Sequence, residues 1–268
     1  MKNLLLTSPE GYAQRLLQAF RERPSRQLFH PVSRPMICTS VMLDTPGLKT
    51  FLSQVETVDY VAFSSRKAIE AFALGWAGEG RRLPSSVGWC AIGKDNDLLR
   101  ELLQVEPAFL AEEPSPKGIV SYLERLPDTR GKRIAVLAPQ VVGMEEPSIV
   151  PDFLAGLAAI GMVPVRINVY RTQAVSEDIL RDTAREIQQE TYDAVVFTSG
   201  TEVQVFLQMV PEGESLENFL GPLTVICYGP YTAGCARTYG VKVDFTSTSF
   251  GAFQGLVEQI ENYYQTKK

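Results

Sequence analysis

Short apolar runs alternate with amphipathic stretches along the whole chain. The runs predict strands over Asn3 to Thr7, Gln27 to His30, Tyr60 to Ser64, Gly88 to Ile92, Ala108 to Leu110, Arg133 to Ala138, Val163 to Val169, Ala194 to Thr198, Val225 to Tyr228 and Lys242 to Phe245. Between them, Tyr12 to Arg21, Ala68 to Leu74, Leu98 to Leu103, Ile119 to Leu126, Ile149 to Ile160, Ile179 to Gln188, Val203 to Met209 and Phe253 to Tyr264 repeat apolar residues at helical spacing. Alternation of this kind is the signature of parallel sheets covered by helices, an α/β fold.

The pattern also repeats. Asp59-Tyr60-Val61-Ala62-Phe63-Ser64-Ser65 is echoed by Asp193-Ala194-Val195-Val196-Phe197-Thr198-Ser199, an offset of 134 residues (59 to 193). The glycine closing Val87-Gly88-Trp89-Cys90-Ala91-Ile92-Gly93 recurs at Gly229, and Gly118-Ile119-Val120 recurs as Gly255-Leu256-Val257. Ordered echoes at nearly constant offset indicate two copies of one unit. The expectation is two similar lobes, each a parallel sheet flanked by helices, with a cleft between them. The first 30 or so residues have no counterpart before Asp193, which assigns 1–35 to the same lobe as 173–268. A middle lobe then covers 44–164, and the β-rich crossings 36–43 and 165–172 form a two-stranded β ribbon joining the lobes.

Composition narrows the classes. At 268 residues, two ordinary cores are feasible, and no apolar stretch approaches the roughly 18 residues of a membrane span. The first residues read as a buried strand, not a signal peptide. A net charge of −5 without a dense basic stripe argues against a nucleic-acid surface. His30 is the single histidine, which disfavours Ser-His-Asp chemistry and multi-histidine metal sites. Cys38, Cys90, Cys227 and Cys235 lack CxxC spacing and read as core residues of a reducing, cytoplasmic compartment, against disulfide or metal alternatives. Helix starts fall where strands end, at Ser64-Ser65, Gly93, Thr198-Ser199-Gly200 and Gly229-Pro230. In open parallel sheets ligands bind at such ends.

Several of these segments resemble one family. Leu4-Leu5-Leu6-Thr7-Ser8-Pro9, Ala62-Phe63-Ser64-Ser65-Arg66-Lys67-Ala68-Ile69-Glu70-Ala71, Val169-Tyr170-Arg171-Thr172, Phe197-Thr198-Ser199-Gly200, Tyr228-Gly229-Pro230-Tyr231-Thr232-Ala233 and Gly240-Val241-Lys242-Val243 match the uroporphyrinogen-III synthase pattern in order and spacing over the full length. The resemblance implies a cofactor-free, monomeric cytoplasmic cyclase of tetrapyrrole biosynthesis. Its implied substrate is hydroxymethylbilane, a linear tetrapyrrole polycarboxylate, closed with inversion of ring D. It implies transient contact with neighbouring pathway enzymes, and no nucleic acid or membrane partner. A non-catalytic tetrapyrrole-binding relative or ligand sensor is the alternative.

The chemistry implied is loss of a hydroxyl to give an azafulvene, closure to a spiro intermediate, then fragmentation and recombination. Tyr170 matches the family tyrosine proposed as general acid; a phenol of pKa about 10 is protonated at neutral pH. A tyrosine at a crossing can equally pack its ring and bond a neighbour. Carboxylate binding is expected of Ser64, Ser65, Arg66 and Lys67, of Gly93 and Lys94, and, from the other lobe, of Thr198, Ser199, Gly200 and Thr201 beside Gly229, Tyr231 and Thr232. Helix capping and solvated lysines are the competing reading for these. Three positions depart from the family pattern: Ser8 and Gln140 stand where arginines are common, and Asn96 where a threonine is. Glu145-Glu146, in an apparent insertion from Val141 to Ser148, reads as a solvated loop, and Phe250, Phe253, Tyr263 and Tyr264 as helix packing.

Overall fold

A computed structural model of the chain describes residues 1–221, 223–249 and 252–266; Phe250 lies outside them. The chain divides into two compact units. One comprises Met1–Cys38, Val142–Glu146 and Gln173–Lys268, the other Thr39–Val141 and Pro147–Thr172.

The first unit is built on strands β1 (Lys2–Leu6), β2 (Phe29–Ser33), β8 (Ala194–Phe197), β9 (Thr224–Cys227) and β10 (Phe245–Thr246), in the order β10-β9-β8-β1-β2. The pairs β1·β2, β1·β8, β8·β9 and β9·β10 are all parallel. Period-two alternation sends Leu4, Leu6, Ala194 and Val196 to one face, where they pack on Leu16 and Phe20 of α1 (Glu10–Arg21) and on Leu256 and Ile260 of α11 (Phe253–Thr266). Leu5, Val195 and Phe197 face the other way, onto Val203 and Phe206 of α8 (Gly200–Leu207) and Ala233 and Ala236 of α10 (Pro230–Thr238). Helices α7 (Glu177–Gln188) and α9 (Leu216–Leu220) complete that layer.

The second unit has β3 (Ile37–Val41), β4 (Tyr60–Phe63), β5 (Gly88–Cys90), β6 (Arg133–Val142) and β7 (Val163–Ala174), ordered β3-β7-β6-β4-β5. Here β4 is parallel to both β5 and β6. Val61, Phe63, Ala135 and Leu137 pack beneath α2 (Pro46–Ser53), α3 (Arg66–Trp76) and α4 (Asn96–Leu103). Ala62, Cys90, Ile134 and Val136 pack beneath α5 (Pro116–Glu124) and α6 (Ile149–Ala159). Strands β3 and β7 carry the chain from one unit to the other. Met42 N donates to Val169 O and Val175 N to Met36 O, so the two run antiparallel.

Strand order explains the repeat. In the first unit β8 lies between β1 and β9; in the second, β4 lies between β6 and β5. Thus β4 corresponds to β8, β5 to β9 and β6 to β1, yet β1 precedes β8 in the chain whereas β6 follows β4. The two units are circular permutants of one topology, and only the halves β4–α5 and β8–α11 can echo in register. The repeated aspartates serve the frame. Asp59 Oδ2 accepts from Arg133 N at 2.8 Å, and Asp193 Oδ2 from Asn3 N at 2.8 Å. The third echo is steric: a Cβ on Gly118 would lie 2.0 Å from the Glu113 carbonyl oxygen, and one on Gly255 2.0 Å from Ser249 Oγ.

Several elements differ from the periodicity. β2 runs through Pro31, where Gln27 to His30 was expected, because it is a sheet edge and needs no donor on its outer side. The expected strand Ala108 to Leu110 is reduced to a single bridge between Trp89 and Pro107. β10 occupies Phe245–Thr246, at the end of the expected Lys242 to Phe245. α2, α9 and α10 have no counterpart in the pattern. α10 buries only Thr232, Ala233 and Ala236, small residues that carry little apolar signal but let α8 approach, where a Cβ on Gly200 would meet Cys235 Sγ at 2.6 Å. The Val141 to Ser148 insertion is anchored: Tyr239 Oη donates to exposed Glu145 at 2.9 Å and accepts from Gln204 Nε2 at 2.9 Å. Phe253 stacks edge-on to Tyr12, and Tyr263 against Phe245, as packing residues do.

Candidate active site

In the second unit, β4 ends in Ser64-Ser65 and α3 starts at Arg66. Ser64 Oγ donates to Leu137 O at 2.8 Å and so ties the turn to β6. Ser65 is the N-cap of α3 in extended conformation, accepting from Ala68 N at 3.3 Å. The same Oγ lies 2.9 Å from the Tyr170 hydroxyl. On β7, Val169 and Tyr170 are both buried and Arg171 is exposed, with Tyr170 only 7% accessible within the aromatic core. Its hydroxyl is thereby held at the positive end of a helix, through the residue that caps it.

Two cations stand in the same turn, each beside an acid. Arg66 Nε lies 3.4 Å from Asp95 Oδ1, and Lys67 Nζ 3.3 Å from Glu70 Oε2. The Arg66–Asp95 contact joins the Ser64–Lys67 turn to the Gly93–Asp95 turn that contains Lys94. Gly93 has φ +54°, and a Cβ there would sit 2.9 Å from Pro114 Cβ, so both backbone and space require glycine. Asn96 is buried at 3%, with Nδ2 donating to Gly93 O (2.8 Å) and Ala91 O (3.2 Å). It is the internal brace of this turn. Gln140 Oε1, Asn96 Oδ1 and, in the first unit, Ser8 Oγ are buried without hydrogen-bond partners.

In the first unit the corresponding turn is Thr198–Thr201. Ser199 caps α8, accepting from Glu202 N at 3.4 Å. Thr198 Oγ1 and Ser199 Oγ donate to Glu202 Oε1 at 2.5 and 3.0 Å, while Thr198 N and Thr7 Oγ1 each lie 2.7 Å from Oε2. Glu202 is 1% exposed and its partners are uncharged; burial raises its carboxyl above the ordinary glutamate range, against the pull of those hydrogen bonds. Thr201 is buried beneath the turn, Gly229 caps α10, Thr232 donates to Thr198 O at 3.2 Å, and Tyr231 is exposed. These turns lie beside the point where strand order reverses, between β1 and β8.

Glu202 is the residue the motifs did not single out. A Ser-x-x-Glu capping box at Ser199–Glu202 signals its position, but its burial depends on Thr7, 195 residues away. Cys38, Cys90, Cys227 and Cys235 are all free; Cys90 and Cys227 are buried, and desolvation pushes the Cys227 thiol up to about 12. Among the described residues, no helix is long and apolar enough to cross a membrane.

Two permuted α/β units, each with a hydroxylated helix start at the carboxyl end of the corresponding strand, β4 or β8, define a class of two-unit α/β proteins. A profile of the uroporphyrinogen-III synthase HemD family matches residues 18–257, and the chain belongs to that family. Crystal structures of similar fold include uroporphyrinogen III synthase from the extremely thermophilic bacterium Thermus thermophilus, as a selenomethionine-labelled triple mutant, with 16% identity, 99% of this chain and 100% of that chain covered, and a TM-score of 0.69. The uroporphyrinogen-III synthetase of Helicobacter pylori 26695 aligns at 15% identity over 98% of this chain and 100% of that one, with a TM-score of 0.51. No curated protein matches the chain. Family membership places the chain in tetrapyrrole biosynthesis, with a small-molecule tetrapyrrole as the substrate class.

Proposed function

We propose that this chain is a cytoplasmic, monomeric uroporphyrinogen-III synthase that cyclises hydroxymethylbilane with inversion of ring D, using Tyr170 as the proton donor. The observation that carries the reading is the 2.9 Å contact between Tyr170 and the α3 cap Ser65. Ser65 Oγ accepts the Ala68 N–H and has its own proton to give. Donated to the Tyr170 oxygen, that proton stabilises the phenolate that forms as Tyr170 gives its own proton to the departing substrate hydroxyl. Transfer expels water and leaves an azafulvenium cation with a phenolate, whose charge the α3 N-terminus favours. Attack by the substituted carbon of ring D gives the spiro intermediate. After fragmentation and recombination, the proton lost from the ring carbon restores Tyr170.

Positioning is the larger task, because a flexible polycarboxylate must be held in one coil. The turns at Ser64–Lys67, Gly93–Lys94, Thr198–Thr201 and Gly229–Thr232 are the proposed carboxylate holders, each charged hydrogen bond contributing about 1.5–3 kcal/mol. The burial of Tyr170, 7% exposed with its hydroxyl against Ser65, favours a second reading, a tetrapyrrole-binding relative without catalysis in which that tyrosine packs its ring. One assay separates the two: hydroxymethylbilane is generated in situ, the product oxidised, and isomers I and III resolved. Type III above the enzyme-free level is the expected result, and type I alone leaves the binding reading.

A further inference from the structure

The contacts of Glu202 pose a problem of proton number. Thr7 Oγ1 has one proton but two acceptors in reach, Val196 O at 2.9 Å and Glu202 Oε2 at 2.7 Å. If Glu202 were a carboxylate, that proton would go to Oε2, and the shorter of the two Thr7 bonds to Val196 O, the hydroxyl one, would be lost, leaving the backbone N–H at 3.4 Å. If Oε2 carries a proton, the donors are still all placed: Oε2–H to Thr7, Thr7 to Val196 O, the Thr198 N–H to the remaining lone pair of Oε2, and the Thr198 and Ser199 hydroxyls to Oε1. Among the described residues, no cation is a hydrogen-bond partner of Glu202: Thr7, Thr198 and Ser199 are all neutral. A carboxylate sealed at 1% exposure without a counter-charge is costly to maintain.

We propose that Glu202 is held as a neutral carboxylic acid that locks β1 to the β8–α8 turn, and that its neutrality lets the Thr198–Thr201 turn take an anionic group. The second half rests on the function proposed above; the first does not. A negative charge beneath that turn would repel a substrate carboxylate, whereas the neutral acid holds both hydroxyls in place without opposing it. The titratable groups around it are the Cys227 thiol on β9, whose ionisation a charged Glu202 would oppose, and Cys235 and Arg237 on α10, which act on Cys227. From β1 the group that faces it is the Thr7 hydroxyl, and from β8 and α8 the Thr198 and Ser199 hydroxyls.

Carbon NMR of wild-type protein labelled at the glutamate carboxyls tests the first half without any variant. One carboxyl is expected to keep the protonated shift at pH 7, and to vanish from that position in Glu202→Gln. Denaturant unfolding across pH gives a second readout. A native state that retains a proton the unfolded chain releases loses stability as pH rises above the ordinary glutamate value, by up to tenfold in the folded-to-unfolded ratio per pH unit. Glu202→Gln should abolish that slope. All glutamates ionised at pH 7, with parallel slopes in the two proteins, would overturn the proposal. For the second half, uroporphyrinogen III affinity should fall in wild type as the acid ionises and stay level in Glu202→Gln; an equal response rejects it. Absence of type III product together with a protonated Glu202 would instead fault the catalytic reading alone.

Discussion

Ser65 and Ser199 occupy equivalent places, each capping the helix that follows the corresponding strand, β4 or β8, of its unit, yet they deal with their hydroxyl protons differently. In the second unit the third helical residue is Ala68, which takes nothing from the cap, and Ser65 is left to meet Tyr170. In the first unit that residue is Glu202, which collects the hydroxyls of Ser199, Thr198 and Thr7. Duplication preserved the cap and the aspartate that frames β4 and β8. One side chain, three positions beyond the cap, decides whether the turn serves a neighbouring phenol or closes on itself.

The largest expected effect that would test this contrast is on rate. Tyr170→Phe should slow type III formation by about 10²-fold or more, with product affinity nearly unchanged; an unaltered rate would return Tyr170 to packing. Next come the paired glycines. Gly118→Ala drives a methyl into the Glu113 carbonyl and should cost about 1–3 kcal/mol in denaturant unfolding. Gly255→Ala meets Ser249 Oγ at 2.0 Å, which can rotate aside, and Ser249 Cβ at 2.8 Å, which must shift, whereas Gly118→Ala meets a backbone carbonyl, so the Gly255 cost should be the lower of the two. The reverse order would show that the third echo is not steric in origin.

Ser65→Ala and Ser199→Ala should each lose about 1 kcal/mol of stability with the cap. Ser65→Ala should also slow type III formation, by less than Tyr170→Phe, since the phenol remains. The smallest effect concerns Asp193. Burial works against its charge, but the Lys2 ammonium at 2.6 Å and the Asn3 N–H hold the carboxyl below the usual aspartate range. Its contribution is therefore present above the ordinary aspartate pKa and lost as pH falls through the depressed one. The stability difference between wild type and Asp193→Asn, read by acid titration of unfolding, should shrink toward zero on that side.

Much of the frame was legible because parallel strands buried on both faces are continuous apolar runs, as at Leu4-Leu5-Leu6 and Val195-Val196-Phe197. The permutation left its own trace in the missing counterpart to the first 30 residues. What escaped periodicity was set by neighbours. Thr232, Ala233 and Ala236 make α10 a buried helix only because α8 carries Gly200 opposite Cys235. Pro31 sits in a strand only because that strand is an edge. In the candidate site, the hydroxyl turns were readable as helix starts, but not where their protons go. Asn96 was noted as a departure in a binding turn, and its burial and two backbone bonds show it bracing that turn from inside.

The pairing of β1 with β8 also has a consequence in time. Thr7 and Val196 are 189 residues apart, so at ordinary rates of translation about 10–40 s pass between them. Through that interval β1 and β2 wait with one apolar edge unpaired, while the sequence from Thr39 to Thr172, self-contained except for Val142–Glu146, can already fold. The unit begun first is the unit finished last, and a nascent chain stalled before β8 exposes Leu4, Leu5 and Leu6 to whatever else can pair with them.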